Sequence, residues 1–515
     1  MNRRSFLLSG SMATSAILLG RAWASAPSSW SAYPFSLGVA SGEPDESSVV
    51  LWTRLAPYPA EFAYGLTTEI VPVTWEIAHD EQMLQIVQHG TVQATPEFAH
   101  SVHVEVQGLS PDRWYWYRFH AGDATSPVAR TRTAPPLHAT PEKLRFTFVS
   151  CQKYENGYYT GFDCMAQESP DLIVHLGDYI YEKGFHAPDA LHLPDRPHPK
   201  DTCVTLDQYR LRYALYKTDP QLQKAHHVAP WIVTPDDHEV SNNYAGDVDE
   251  YNTPREKFLV QRAAAYKAYY EHMPLRRSAI PNGPSMQLYR TIPYGQLANF
   301  YVLDTRQYRS DQPCDDRIKP VCEGALAPTQ TMMGSRQEQW LFQSFSRSTA
   351  QWNVLAQQIL MAEVNWNPTG HPILESMDKW DGYHAARTRL YRNIIDRKLR
   401  NPIVISGDIH LNFANDLKMS SLEESSPTLA TEFAGTSITS GGNGTDVSDE
   451  AKKWRTFNPH VRFYNEQRGY VTCELTNKMW RSDFRVLDFV DRHGGSISTR
   501  ASFVVEDGKA GVQSI

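Results

Sequence analysis

Four short apolar runs in this chain end on residues that can hold metal ions. Leu172-Ile-Val-His-Leu176 leads into Gly177-Asp178-Tyr-Ile-Tyr181, Trp231-Ile-Val233 leads towards Asp236-Asp237-His238-Glu239, and Ile403-Val-Ile405 leads into Gly407-Asp408-Ile-His410. Leu144-Arg-Phe-Thr-Phe-Val149 ends in the same way on Ser150-Cys151. Runs this short and this apolar predict strands buried on both faces. Between and around them the apolar period lengthens to that of helices, at Leu206 to Tyr216, Glu256 to Tyr270, Ser335 to Ser346 and Ala385 to Lys398. Strands alternating with helices predict a mixed α/β fold, in which chemistry gathers at the carboxyl ends of the strands. The three acidic clusters are therefore expected to meet, although more than half of the domain's length separates the first from the last.

Residues 33 to 134 have a different texture. Val49-Val-Leu-Trp52, Val73-Thr-Trp-Glu-Ile77 and Val102-His-Val-Glu-Val106 alternate with the period of half-buried strands, which predicts a small β-sandwich. Val106-Gln-Gly-Leu-Ser-Pro111, followed by Trp114-Tyr-Trp-Tyr-Arg-Phe119, resembles the late strands of a fibronectin type III domain. Prolines 135, 136 and 141 cannot continue a ladder. The expected division is thus a β-sandwich over residues 27–136, a linker over 137–143 and a catalytic domain over 144–515. Near the end, Tyr470 to Leu475, Trp480 to Val490 and Ser502 to Glu506 read as strands that complete the second sheet of a sandwich rather than form a third domain. The glycine-rich Ser440-Gly-Gly-Asn-Gly444 reads as a turn.

Composition narrows the function. The chain is 41% hydrophobic and 21% charged, as globular proteins are, and its formal charge of −8 argues against a stable nucleic-acid complex, which needs a basic footprint. Residues 1–26 read as an export signal: Arg3-Arg4 before Phe6-Leu7, a weakly apolar stretch to Leu19, and A-x-A cleavage frames around Ala22-Trp-Ala24. The paired arginines match the twin-arginine pattern, which predicts the twin-arginine translocation machinery as a partner and a periplasmic or secreted location. The apolar stretch is too short to span a bilayer, and no membrane span is expected in the mature chain. Of six cysteines, Cys314 and Cys322 bracket a polar loop and are expected to pair after export. No CxxC spacing for structural zinc is present.

The clusters carry the chemistry. A carboxylate at a strand end, Asp178, can give one oxygen to each of two cations and offset their repulsion. Tyr181, three residues on, can swing its hydroxyl back to the same centre; a phenol ligates at neutral pH only when a strong Lewis acid such as ferric iron ionises it. The competing reading of Tyr181 is an aromatic that lines the pocket. Asp237 and Asn242 are candidate oxygen donors, while His238 can face substrate and protonate a leaving-group oxygen. Strand alternation would bring Asp408 and His410 to one side of the Gly407 cluster. Cys151, as a thiolate, suits iron or zinc, against a reading as a structural buried cysteine. Arg306, Arg309 and Arg387 are candidates for phosphate contacts or ordinary surface and packing arginines.

Together, GDYIY, DDHE in place of GNHE, GDIH in place of GHxH, Ser150-Cys-Gln152, Leu303-Asp-Thr-Arg306 and the twin-arginine start resemble the PhoD alkaline phosphatase D family of the metallophosphoesterase superfamily. The resemblance spans nearly the whole chain. It implies a four-layer α/β/β/α metallophosphoesterase sandwich after a fibronectin-III-like domain, and hydrolysis of phosphate mono- and diesters outside the cytoplasm. It also implies one ferric ion (Fe3+) held by Cys151, Asp178, Tyr181, Asp408 and His410, with one or two calcium ions (Ca2+) on oxygens of Asp178, Asp408 and either Asp237 or Asn242. The family's second motif aligns with Asp237, whereas the asparagine repeated after it fits Asn242 or Asn243.

The expected mechanism is one in-line displacement by a metal-bound hydroxide, since no Ser or Thr nucleophile motif accompanies the ligands. Small phosphate esters are the expected substrates. Two alternatives stay open: a phospholipase D-type diesterase on phospholipid head groups or nucleotide diesters, and a non-catalytic surface binding protein with a structural metal site.

Overall fold

The computed structural model describes residues 29–515 apart from 67, 185–190, 422 and 424. The export segment expected at 1–26 lies outside the described residues. In chain order the first strands are β1 (Val39–Gly42), β2 (Val49–Arg54), β3 (Val71–Ala78), β4 (Ile86–Ala94), β5 (Ser101–Val106), β6 (Trp114–Ala121), β7 (Ala124–Thr125) and β8 (Ala129–Arg132). Then follow β9 (Lys143–Val149), α1 (Thr160–Gln167), β10 (Leu172–His175), α2 (Leu206–Lys217), α3 (Pro220–Val228), β11 (Trp231–Val233) and α4 (Arg255–His272). The next stretch holds β12 (Arg290–Tyr294), β13 (Ala298–Val302), β14 (Ile318–Pro320), α5 (Glu323–Leu326), α6 (Gly334–Arg347), β15 (Trp352–Ala356), β16 (Leu374–Ser376) and α7 (His384–Arg397). Last come β17 (Pro402–Ser406), β18 (Asn412–Lys418), β19 (Thr428–Ala434), α8 (Asp449–Trp454), β20 (Val461–Asn465), β21 (Gly469–Thr476), β22 (Met479–Leu487), β23 (Ile497–Glu506) and β24 (Lys509–Ser514).

Two large sheets face each other. One has ten strands in the order β24-β23-β22-β21-β9-β10-β11-β1-β2-β5, the other seven in the order β12-β13-β15-β17-β19-β18-β20. Their parallel centres carry the site: Leu172 pairs with Phe146 and Ile173 with Trp231 in the first, Val404 with Leu355 and with Glu432 in the second. Alternate side chains of each strand go to different cores, because neighbouring Cβ atoms point to opposite faces. Phe146, Phe148, Leu172, Val174 and Ile232 meet Phe300, Val354, Ile403, Ile405 and Phe433 between the sheets. Ile173, Trp231 and Val233 pack outward among residues of α1 to α4, and Tyr301, Leu355 and Val404 among residues of α6 and α7. The four helices predicted from periodicity are α2, α4, α6 and α7. The shorter α3 is announced by its cap: Pro220 takes the first helical position, where no N–H is needed, and Asp219 accepts the N–H groups of Gln221 and Leu222.

Two expectations are modified. The N-terminal strands form two layers around Val49, Leu51, Val73, Ile77, Val104, Tyr115 and Tyr117. One layer is not closed on itself: β1, β2 and β5 extend the ten-stranded sheet through the pairing of Gly42 with Trp231. The edge of β11, otherwise a row of unpaired N–H and C=O groups, is covered in this way. The second is a matter of placement. The strands expected at Tyr470–Leu475, Trp480–Val490 and Ser502–Glu506 join one of the two facing sheets. They are added by β21 onto β9, in the sheet that carries Cys151 and Asp178, with Val471, Cys473 and Leu475 filling the space between the sheets. The period of a strand says which face is buried but not which edge it joins.

Candidate metal centre

The candidate ligands lie just past the ends of β9, β10, β11 and β17, and four of them have strained backbone. Cys151, Asp178, Asp408 and His410 all have left-handed φ values, 61°, 56°, 62° and 59°. Non-glycine residues persist there only where the surroundings dictate it, and such strain clusters at functional sites. Two glycines let the loops touch. A Cβ on Gly177, at φ 112°, would stand 2.3 Å from Asp236 Cβ, and one on Gly407 would stand 2.4 Å from Ser150 Oγ. The first contact joins the loops after β10 and β11, and the second joins the two sheets. Glu239 ties the same loops together by accepting N–H groups from Asp178, Tyr179 and Asp236 at 3.1, 2.6 and 2.8 Å.

Three groups of donors result, each with its atoms within 4.8 Å of one another: Cys151, Asp178 and His410; Asp178, Asp237 and His238; Asp236, Asp237 and Asp408. Asp178 is shared by the first two and Asp237 by the last two, so the groups form one continuous centre. The Tyr181 hydroxyl lies 3.0 Å from Asp178 Oδ2 and 3.1 Å from His410 Nε2, inside the first group. His238 lies against Tyr181, with ring centroids 4.1 Å apart and Nδ1 held 2.6 Å from Glu182 Oε2. Asn242 keeps its amide nitrogen 2.7 Å from Glu250 and gives its backbone N–H to Glu182. Asn243 instead gives its backbone N–H to Asp237 Oδ2 at 2.7 Å.

Electrostatics explain what this centre needs. Burial, reinforced by Asp237 and Asp236 and opposed by His238, pushes the Asp178 carboxyl well above its usual range. Burial and then Asp178 raise the Cys151 thiol and the Tyr181 phenol in the same way. Burial lowers the His410 imidazole to about 3. For His238 burial acts downward but is outweighed by Glu182, Asp237 and Asp178, which lift it to about 10. Asp237, which burial alone would raise, is held below the carboxylate range by Arg306 and His238. Asp178 Oδ1 and Asp236 Oδ2 are buried and receive no hydrogen bond. Buried carboxylate oxygens without donors cost several kcal/mol unless a cation answers them. The donor set fits: thiolate, phenolate and imidazole in the first group suit iron, and the all-carboxylate group suits a hard cation such as calcium.

Cys151, Asp178, Tyr181, Asp237, His238, Asp408 and His410, separated in sequence, are thus brought together, while the Asn242 side chain turns to Glu250. Asp408 groups with Asp236 and Asp237, and its charge also acts on Cys151. Strand alternation is not what delivers Asp408 and His410: residues 408–411 form bends past the end of β17, and both residues have left-handed backbone. The three candidate arginines are buried and engaged by carboxylates. Arg306, 1% exposed, binds Asp236, Asp378 and Asp408; Arg309 binds Asp378; Arg387 binds Asp381. Lys379 completes this network against Asp378 and Asp408. Asp236, Asp378, Lys379, Glu182 and Ser440 were not singled out by sequence reasoning. Only Asp236 carried a signal, its place in DDHE; the others belong to no spacing that chemistry demands.

Known proteins similar to this chain are PhoD-like phosphatases. A profile of the PhoD-like phosphatase family matches residues 146–484, and one of the PhoD-like phosphatase N-terminal domain matches residues 22–135. Alkaline phosphatase D of Bacillus subtilis (strain 168) is 49% identical over 486 residues, which cover 94% of this chain and 83% of that protein. A solved structure of PhoD superposes with a TM-score of 0.92 at 49% identity, covering 95% of this chain and 93% of that one.

Proposed function

From the premise that this chain belongs to the PhoD-like phosphatase family, and is therefore a phosphatase, we propose an exported, metal-dependent hydrolase of phosphate mono- and diesters. What carries the reading is the continuity of the three donor groups through Asp178 and Asp237. We read the facing sheets with their outer helices as the four-layer α/β/β/α sandwich, and residues 27–136 as a fibronectin-III-like domain joined by 137–143 to the catalytic domain 144–515. Residues 1–26 serve as a twin-arginine signal in this reading, which places the mature enzyme in the periplasm or outside the cell.

Cys151, Asp178, Tyr181 and His410 would hold a ferric ion, and Asp178, Asp236, Asp237 and Asp408 one or two calcium ions, with Asn242 or Asn243 within reach of the same loop. Bound there, the cations supply Lewis acidity, which acidifies water and offsets charge on the phosphate oxygens. The chain's own residues do the rest. Arg306 and Lys379 keep Asp408 oriented, and Glu239 holds the backbone of Asp178 and Asp236. His238, whose Nδ1 is occupied by Glu182, presents Nε2 to substrate and delivers a proton to the departing oxygen. The reaction is a single in-line displacement that inverts configuration at phosphorus.

Metal analysis of protein purified without added ions tests the centre: iron with calcium is expected, and two zinc or two manganese ions would overturn the assignment. Rates on a phosphomonoester, a phosphodiester and a phospholipid, measured side by side, decide substrate class. Preference for the phospholipid would favour a phospholipase D-type enzyme.

A further inference from the structure

The glycine-rich run Ser440–Gly444 reads in the sequence as a turn, yet its first residue is built into the centre. The segment leaving β19 pairs with the chain at Cys151: Ser150 and Ser437 form a parallel bridge, and Ile438 gives its N–H to the Ser150 carbonyl at 3.2 Å. That register delivers Ser440, 1% exposed, between three groups. Its Oγ lies 2.7 Å from the Tyr181 hydroxyl, 2.8 Å from the Cys151 carbonyl oxygen and 3.1 Å from the Lys153 backbone nitrogen. Arg468 secures the segment from behind by donating to Ser437 Oγ at 2.7 Å and to the His410 carbonyl at 2.6 Å, and Ser437 Oγ donates to the Ser440 carbonyl at 2.7 Å.

A serine hydroxyl has one proton to give. The Lys153 N–H donates to Ser440, so the choice lies between the Cys151 carbonyl and Tyr181. While Tyr181 is a phenol it can donate, and the Ser440 proton belongs to the carbonyl. As a ligand, the Tyr181 oxygen only accepts, and at 2.7 Å Ser440 must then be the donor. Turning the hydroxyl leaves no orphan, because the Cys151 carbonyl also faces the N–H groups of Thr439 at 3.5 Å and Ser440 at 3.4 Å. We propose that Ser440 is a positioning residue for Tyr181, whose hydroxyl turns from the Cys151 carbonyl to hold the phenolate oxygen when Tyr181 binds metal. This rests on the reading of Tyr181 as a ligand, and it gives the glycine-rich run a role in the chemistry.

The test compares the wild type with S440A and S440T, each loaded with metal, by the phenolate-to-ferric charge-transfer band and by the chelator concentration that strips half of the metal. Removing a hydrogen bond from the phenolate raises its donor level. S440A is expected to shift the band to longer wavelength and to lose metal at about 10- to 100-fold less chelator, the usual cost of an outer partner of a ligand. S440T, which keeps the hydroxyl, is expected to restore both, and equal melting of the metal-free proteins excludes a folding defect. An unchanged band and chelator midpoint in S440A overturn the proposal. If the loaded wild type has no such band, the iron reading is what fails, and the chelator midpoint alone then decides: unchanged in S440A, it overturns the role of Ser440, and a fall reversed by S440T upholds it.

Discussion

Single side chains in this centre act mainly by answering charge. Glu239 has no counter-ion among its hydrogen-bond partners and is held instead by three backbone N–H groups, while burial raises it to about 7. Replacing it by glutamine turns an NH2 towards one of those N–H groups. E239Q is expected to lose about 2 kcal/mol of stability and to bind less metal, which denaturant midpoints and metal analysis will check. Arg306 carries more. One buried guanidinium serves Asp236, Asp378 and Asp408, and removing the partner of buried carboxylates leaves them uncompensated. R306M is expected to destabilise the metal-free protein by about 3–5 kcal/mol. A midpoint indistinguishable from wild type would mean that these carboxylates are neutral in the folded chain.

At the scale of elements, the site is a matter of how closely strand ends approach. The turn after β10 and the turn after β11 are in contact at Gly177 and Asp236, with no room for a methyl group between them. In G177A the left-handed backbone is penalised and the added Cβ wedges the two turns apart. Because a displacement of about 1 Å can cost about 100-fold in rate, kcat/KM is expected to fall by roughly that factor while most of the fold's stability is kept. Loss of stability without loss of rate in the folded fraction would show that the contact is only structural. The signals in the sequence were strong for these elements. Apolar runs marked β9, β10, β11 and β17, and the period of 3.6 marked α2, α4, α6 and α7, since both follow from local burial. Which sheet took β21 to β23 was not legible, because edge choice depends on a partner far away in the chain.

At the scale of the whole molecule, Lys217 lies between the N-terminal strands and the loop after β10. This fully buried lysine on α2 sits 4.2 Å from the ring centroid of Trp52 on β2 and 5.2 Å from that of Tyr179, next to Asp178. Burial lowers its pKa from 10.5 to about 7, and it in turn helps keep His175 and His226 neutral. Between these two values the unfolded chain holds a proton that the folded chain has shed, so stability rises with pH across that window. Below about pH 7 both states are protonated and a constant penalty remains, on the order of 5 kcal/mol. K217M is expected to be more stable than wild type at about pH 6 and to lack part of the rise towards pH 9. Parallel pH profiles for the two proteins would refute this. Removing metal with a chelator is expected to lower the melting temperature, by the equivalent of about 3 kcal/mol for each ion held at a hundredfold excess over its Kd. Calorimetry of the loaded and stripped protein will measure it.

The candidate ligand types, the strand ends that bear them and the mixed α/β layering are legible in the chain alone, because each follows from local periodicity and from what side chains can coordinate. The pairing of Cys314 with Cys322 was legible for the same reason, and the bond is formed. That Asp408 groups with Asp236 and Asp237, that Arg306 is engaged by carboxylates and that Ser440 faces Tyr181 came from the folding of distant segments. Those outcomes depend on where distant loops come to rest and on which buried charge each side chain must answer, and neither is written in any short stretch of chain.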